Sequence, residues 1–193
     1  ETKTWLLNKH YAKRMPSISY AFGLYDDDSL VGICTFGSPP SPSLCVGVCG
    51  EEHKNKVVEL NRLILETDKP NSASFLVSQS LKLLPKPSIV ISYADTKQGH
   101  VGYIYQATNF FYTGATVERT DMGGIDGKHS RHAKDPNIRV FRSSKHRYIT
   151  FTGSRLQKKK LTKLLKYKTE SYPKGKSKKY DASGYVEKQG VLF

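Results

Sequence analysis

The amino-acid sequence predicts an α/β protein: a single domain on a mixed central sheet with flanking helices, followed by a basic C-terminal extension. Short runs of β-branched and aliphatic residues alternate with helix-like stretches in the order strand, helix, strand, helix, strand, after a leading hairpin and with no internal repeat. The chain has 193 residues, 37% of them hydrophobic, enough for one packed core and well above the level at which chains stay disordered. A third observation sets the domain plan. Of a formal net charge of +14, residues 145–193 carry +11, with 14 Lys+Arg against only Glu170, Asp181 and Glu187. The expected division is a compact domain over residues 1–151 and a basic extension over residues 152–193.

Residues 6–13 read as a short helix ended by Pro16, because the residue before proline avoids the helical region. Residues 18–25 and 30–36 flank the acidic turn Asp26-Asp27-Asp28-Ser29 and read as a β-hairpin. Residues 38–43 (SPPSPS) are too proline-rich for regular structure and predict an excursion placed to border a site. Residues 57–65 (VVELNRLIL) predict a central strand, and Pro70-Asn71-Ser72 opens a helix that runs to about residue 84, where Pro85 and Pro87 end it. Residues 88–94 (SIVISYA) predict a second buried strand, 99–108 a helix and 110–118 a third strand. Residues 121–136, rich in Gly, His and Asp, read as a long loop. After it, 138–141 and 147–151 read as late strands and 155–168 as a basic helix.

Composition excludes several classes. No apolar stretch approaches the roughly 18 residues that cross a bilayer, and nothing reads as a signal peptide, so a membrane-spanning or secreted protein is not expected. Cys34, Cys45 and Cys49 are too few for a disulfide framework and point to a reducing compartment. Cys45-Val46-Gly47-Val48-Cys49 lacks the second pair of ligands a structural zinc needs, so its thiols read as packing. The C-terminal cations have too little acid nearby to pair among themselves and predict a polyanionic partner. Tyr148, Phe151, Tyr167, Tyr172, Tyr180 and Tyr185 lie among them. Aromatics stack on exposed bases while cations hold phosphates, so this pattern favours nucleic acid. An anionic membrane surface fits less well, because the stretch lacks a long apolar helical face.

Asp95 follows the end of a buried strand, where open α/β sheets bind ligands, and is the leading acid/base candidate; capping the next helix is its alternative role. Tyr105 lies five residues after His100, while Tyr103 and Gln106 share a helix side, where tyrosines more often anchor packing. His10 and Tyr11 gain a role only if the fold brings them to Asp95, where they would bind substrate or metal. Asn71-Ser72-Ala73-Ser74 offers free backbone N–H groups suited to a phosphate, although the same residues make ordinary caps. His129 and His132 lie in a polar loop, where exposure or substrate contact outweighs metal binding.

His10-Tyr11-Ala12-Lys13-Arg14-Met15-Pro16, Glu59-Leu60-Asn61-Arg62-Leu63 and the stretch from Ser92-Tyr93-Ala94-Asp95 through Gln98-Gly99-His100, Gly102, Ile104-Tyr105-Gln106-Ala107, Asn109-Phe110 and Tyr112-Thr113-Gly114 resemble the Mom family of phage DNA-modification proteins. The resemblance runs over about residues 8–151. It implies a GNAT acyltransferase-like fold, with residues 1–151 as the catalytic domain. It also implies a transferase that converts adenine in phage DNA to an N6-(carbamoylmethyl), acetamido-type adenine and so protects that DNA from host restriction in the bacterial cytoplasm. Double-stranded DNA is then the partner, with the base flipped out of the stack; no membrane is implied, and a homodimer is left open.

On that resemblance Asp95, His10, Tyr11 and Tyr105 are the expected catalytic residues, and Arg62, Leu63, Asn71, Ser72 and Ser74 the expected cofactor contacts. The implied donor is acetyl-CoA or another small metabolite. GNAT proteins carry a glycine-rich pyrophosphate loop, whereas this chain has Thr67-Asp68-Lys69-Pro70-Asn71-Ser72-Ala73-Ser74 and no glycine. An acetyl group also lacks the nitrogen of the carbamoylmethyl product, so acyl transfer alone does not make it. Either another metabolite enters or a redox metal does, and His10, Tyr11 and Asp95 are the ligands expected for an iron. Lys145, Arg147, Tyr148, Lys158, Lys159 and Lys160 are the expected DNA contacts, with Arg14 and Arg62 nearer the pocket. Two other readings stay open: a GNAT N-acyltransferase using acetyl-CoA on RNA, protein or a small amine, and a non-catalytic DNA-binding protein.

Overall fold

The computed structural model describes residues 2–12, 14–124 and 134–175. Its centre is a six-stranded mixed sheet in the order β1-β2-β3-β4-β8-β5, from β1 (Tyr20–Asp26), β2 (Ser29–Gly37), β3 (Val57–Leu65), β4 (Ile89–Asp95), β5 (Phe111–Ala115) and β8 (Lys145–Phe151). β1, β2 and β3 run antiparallel, and β3 and β4 are parallel. Between them the chain crosses over through helix α3 (Ser72–Leu83), since parallel neighbours need a long connection. β8 inserts between β4 and β5, antiparallel to both.

Strands buried on both sides need apolar residues in every position, which is why Ile89, Val90 and Ile91 are all fully buried. One face packs Phe36, Leu60, Val90, Phe110 and Tyr148 against Leu76 and Val77 of α3. The other has two parts. Helix α1 (Thr2–Asn8) places Trp5 and Leu6 on Ile33 and Ile64. Helices α2 (Pro42–Cys49) and α5 (Arg155–Leu164) close over Ile89, Ile91, Ile149 and Phe151 with Val48 and Leu161. Among the described residues no helix is long and apolar enough to cross a membrane.

The hairpin, the central strand and the α3 crossover match the sequence expectations; several elements differ for local reasons. The first helix ends at Asn8, because the Ala12 amide donates to His10 Nδ1 at 3.0 Å in place of a helical carbonyl. The proline-rich stretch leads into α2: Ser41 caps it, accepting from Leu44 N, and Pro42 occupies the first turn, where a missing N–H costs nothing. The helix expected over 99–108 is confined to α4 (Tyr103–Ala107), preceded by a 3₁₀ turn at Thr96–Gln98. Gly99 and Gly102 between them have φ of 67° and 73°, and a Cβ on Gly102 would lie 2.3 Å from the Tyr148 ring. The loop expected over 121–136 is partly a second sheet, β6 (Arg119–Gly124) paired with β7 (Lys134–Arg142). The strand expected over 138–141 lies within β7, whereas Arg119–Gly124 is too polar and glycine-rich to read as a strand. His129 and His132 lie outside the described residues.

The boundary expected at 151/152 is not a boundary in packing. α5 starts on a reciprocal capping box between Ser154 and Gln157, and its Leu161 is 3% exposed. Beyond it the Lys166 amide donates to Val48 O, the Glu170 amide to Tyr112 O and the Tyr172 hydroxyl to Phe110 O, at 2.9, 2.9 and 2.8 Å. Residues 152–175 thus complete the second face. Leu161→Ala is expected to cost about 2–5 kcal/mol through its cavity, read as a lower denaturation midpoint; a loss near zero would mean that α5 does not belong to the core.

Candidate functional site

Parallel pairing of β3 with β4 covers only Val57–Leu60 against Ile89–Ser92, although β3 runs on to Leu65 and β4 to Asp95. The Ser92 hydroxyl, donating to Leu60 O at 2.9 Å, is the last link before the strands part. Past it opens a crevice of about 2250 Å³, larger than a pocket for one small ligand. It lies at the carboxyl ends of parallel strands, where open α/β sheets bind ligands.

The N-terminal strap reaches this crevice. Asn61, the extra residue in a bulge of β3 opposite Thr35 and Phe36, accepts from Thr35 Oγ1 and donates to Ser17 O, both at 2.7 Å. A Cβ on Gly37 would fall 1.8 Å from Ser17 O, so only glycine lets the strap lie this close. His10 and Tyr11 are thereby brought to His100 and Asp95. The rings of His10 and Tyr11 are 4.3 Å apart, and that of Tyr11 meets His100 edge-on at 6.1 Å.

Asp95 is 8% exposed, and all its contacts are short. Oδ1 accepts from Ser143 Oγ at 2.7 Å and from Lys97 N at 3.0 Å; Oδ2 accepts from Lys145 Nζ at 2.8 Å. Burial works to raise its pKa, but the hydrogen bonds from Lys145 and Ser143, the Lys145 charge and the Lys97 amide together hold it below the usual carboxylate value. His10 is pushed down to about 3, by burial first and then by Arg62, His100, Arg14 and Lys145. Its imidazole is therefore neutral at physiological pH. With Nδ1 accepting from Ala12, the ring carries its proton on Nε2 and presents a donor rather than a base. Tyr11 is raised, by burial and then by Asp95, and stays a neutral phenol.

Arg62 donates to Asn61 O and Arg14 O at 2.6 and 3.3 Å, while its Nε is buried without a hydrogen-bond partner among the described residues. Burial and neighbouring cations lower the pKa of both Arg14 and Arg62, while Tyr11 and Glu59 act the other way. The crevice is electropositive.

The other nominated residues fall in different places. Tyr105 borders the crevice, but its ring packs on Phe110 and Tyr148 at 5.3 and 5.2 Å, and burial raises its pKa. Leu63 packs against the apolar cluster under α3. Asn71, Ser72 and Ser74 border the crevice, yet the Ser72 and Ser74 hydroxyls turn back to Lys69 O and Asn71 O. Asn71 sits at φ 62° with no side-chain cap. Tyr148 corrects the sequence expectation: it is fully buried and donates to Val101 O at 2.6 Å, so it has no surface for DNA. Lys145 is committed to Asp95. Arg147 donates to Thr113 Oγ1 and O and stacks on Tyr167 at 3.6 Å. Lys158, Lys159 and Lys160 are exposed on α5, away from the crevice lining. Ser143, Asn61 and His100 were not singled out as site residues, and only a folded chain shows what they hold.

The residues nominated for iron do not fit a cation. Both Asp95 oxygens and His10 Nδ1 are engaged, and two arginines and a lysine surround them. Among the described residues no group of three His, Cys, Asp or Glu side chains converges.

Fold and site together define an α/β protein with a large cationic crevice where two parallel strands part. A model of the Mom protein family matches residues 1–174. The methylcarbamoylase Mom of Escherichia phage Mu is 31% identical, in an alignment covering 89% of this chain and 79% of that protein. The chain belongs to the Mom protein family, which makes it an enzyme of the transferase class. Solved structures give a distant likeness of chain course. An N-acetyltransferase from Staphylococcus aureus Mu50 has a TM-score of 0.41 at 15% identity, covering 68% of this chain and 66% of that one. A GNAT-family acetyltransferase from Bacillus cereus has 0.43 at 13%, covering 69% and 71%.

Two outcomes are expected from the site. Between its ordinary value of 6.5 and about 3, the unfolded chain binds a proton at His10 that the folded protein does not; Asp95 acts in the same sense below 3.8. Stability therefore falls as pH falls through that window, with a slope approaching about 1.4 kcal/mol per pH unit for one proton. Denaturant titrations should show the slope flattened in His10→Gln; an unchanged slope would place the proton uptake elsewhere. The second outcome concerns metal: EDTA should leave the melting temperature unchanged, and purified protein should carry far less than one equivalent of iron.

Proposed function

We propose that this chain transfers a carbamoylmethyl group to N6 of adenine in phage DNA and so shields that DNA from host restriction enzymes. The observation that carries this reading is its 31% identity with the phage Mu methylcarbamoylase in an alignment covering 89% of the chain. The cationic crevice supports it, because duplex DNA brings a dense line of phosphates. Adenine N6 is paired inside a duplex, so the base leaves the stack to react. The Tyr11 and His100 rings offer it an aromatic wall.

In the transfer the N6–C bond forms as the donor's bond from that carbon to its leaving group breaks; the leaving group takes that electron pair and one N6 proton passes to water. The neutral His10 donates a hydrogen bond through Nε2 to substrate or leaving group. Asp95, ionised and clamped by Lys145, orients that lysine and is too weak a base to be the first acceptor of the proton. Arg14 and Arg62 offset phosphate or donor charge.

The donor supplies both the methylene and the amide nitrogen, which acetyl-CoA alone does not. The glycine-free turn before α3, with Asn71 at positive φ, agrees with a donor other than simple acetyl-CoA.

Mass spectrometry of nucleosides from plasmid DNA, grown in cells expressing the protein, tests this. A deoxyadenosine heavier by a carbamoylmethyl group is expected, reduced at least ~100-fold in Asp95→Ala and His10→Ala. A plain acetyl adduct would restore simple acyl transfer, and unmodified DNA from folded protein would sink the reading.

A further inference from the structure

Strands β6 and β7 pair only with each other, outside the six-stranded sheet. Directly opposed residues of an antiparallel ribbon share a face. Thr120 with Phe141 and Met122 with Arg139 make one face; Arg119 with Arg142 and Asp121 with Val140 make the other. The second is satisfied within itself. Arg119 Nε and Arg142 Nε donate to the two Asp121 oxygens at 3.0 and 3.3 Å.

The first face is exposed at all four positions, Met122 at 40% and Phe141 at 56%. Two large apolar side chains flanking an arginine are unusual on a solvated ribbon and mark an interaction surface. The ribbon borders the crevice through Thr120, Met122 and Arg139 of this face and Arg119, Asp121 and Arg142 of the other, while Phe141 stands outside that lining.

We propose that this face of the β6–β7 ribbon docks in the major groove of duplex DNA beside the target adenine, with Arg139 on a phosphate and Phe141 and Met122 against base edges. The inference rests on DNA being the substrate. The major groove admits a two-stranded ribbon, and it is the groove in which adenine displays N6. Charge favours DNA over a second copy of this chain, which would bring its own +14. A ribbon at the crevice mouth holds the duplex in register while one base enters, and makes the sequence around that base count.

Fluorescence anisotropy with a labelled DNA duplex, over a range of salt, tests the inference with full-length protein. Phe141→Ser and Arg139→Ala should each weaken binding at least ~10-fold while keeping the wild-type melting temperature, because both side chains are exposed. Arg139→Ala should also lower the slope of log K against log salt by about one, and Phe141→Ser should leave it unchanged. Sequencing of modified plasmid should show a broader choice of adenine contexts in Phe141→Ser and an unchanged choice in Arg139→Ala, since a phosphate contact reads no sequence. Wild-type affinity in both variants would overturn the proposal, as would a dimer that the substitutions dissociate while DNA affinity stays constant. Unmodified DNA from the wild-type protein would sink the adenine reading alone, since the affinity measurement does not depend on it.

Discussion

Four residue pairs join β3 to β4, and the rest of the site depends on how few they are. β4 pairs with β8 over seven positions, from Ile89 with Phe151 to Asp95 with Lys145. It therefore follows its antiparallel neighbour and leaves its parallel one once the Ser92 to Leu60 hydrogen bond is passed. The carboxyl ends of two buried strands then stand apart, with backbone and polar side chains facing a cleft instead of each other. The strap at residues 10–12 and 14–17, the start of α3 and the ribbon all border that opening.

Electrostatics inside the crevice follows from the same separation. A carboxylate at the end of β4 lies opposite a lysine at the start of β8, so Asp95 and Lys145 neutralise each other as soon as the register forms. The remaining charge nearby belongs largely to Arg14 and Arg62, and burying a histidine among them keeps it neutral. The crevice lining carries more cations than carboxylates, nine Lys and Arg side chains against Glu59, Asp68, Asp95 and Asp121. Leaving Arg62 Nε buried without a hydrogen-bond partner among the described residues is a cost of the folded state, borne where a ligand enters.

The excess of basic residues has more than one use. Arg147 of β8 stacks on Tyr167, and Tyr172 ties the chain to Phe110. Lysines of α5 remain on the surface, where their charge adds to the field that draws a polyanion. The ribbon differs from both, because its exposed face mixes cation with apolar surface and stands next to the crevice.

Much of the scaffold was legible in the sequence. Runs such as VVELNRLIL and SIVISYA read as strands because they are short, rich in β-branched and aliphatic residues and bounded by turn signals, and the second is apolar at successive positions, as a strand covered on both faces is. Asp95 stood out for its place after such a run, and the quoted words near residues 10, 61 and 95 marked the family. Tertiary structure decided what those residues do. The partners of Asp95, the neutrality of His10 and the burial of Tyr148 all arise from residues far apart in the chain, and nothing in a local pattern encodes the distance between them. Of the β6–β7 ribbon only the strand at 138–141 was legible: strands that bury little carry almost no alternation to read, and their pairing is visible only once the chain has folded.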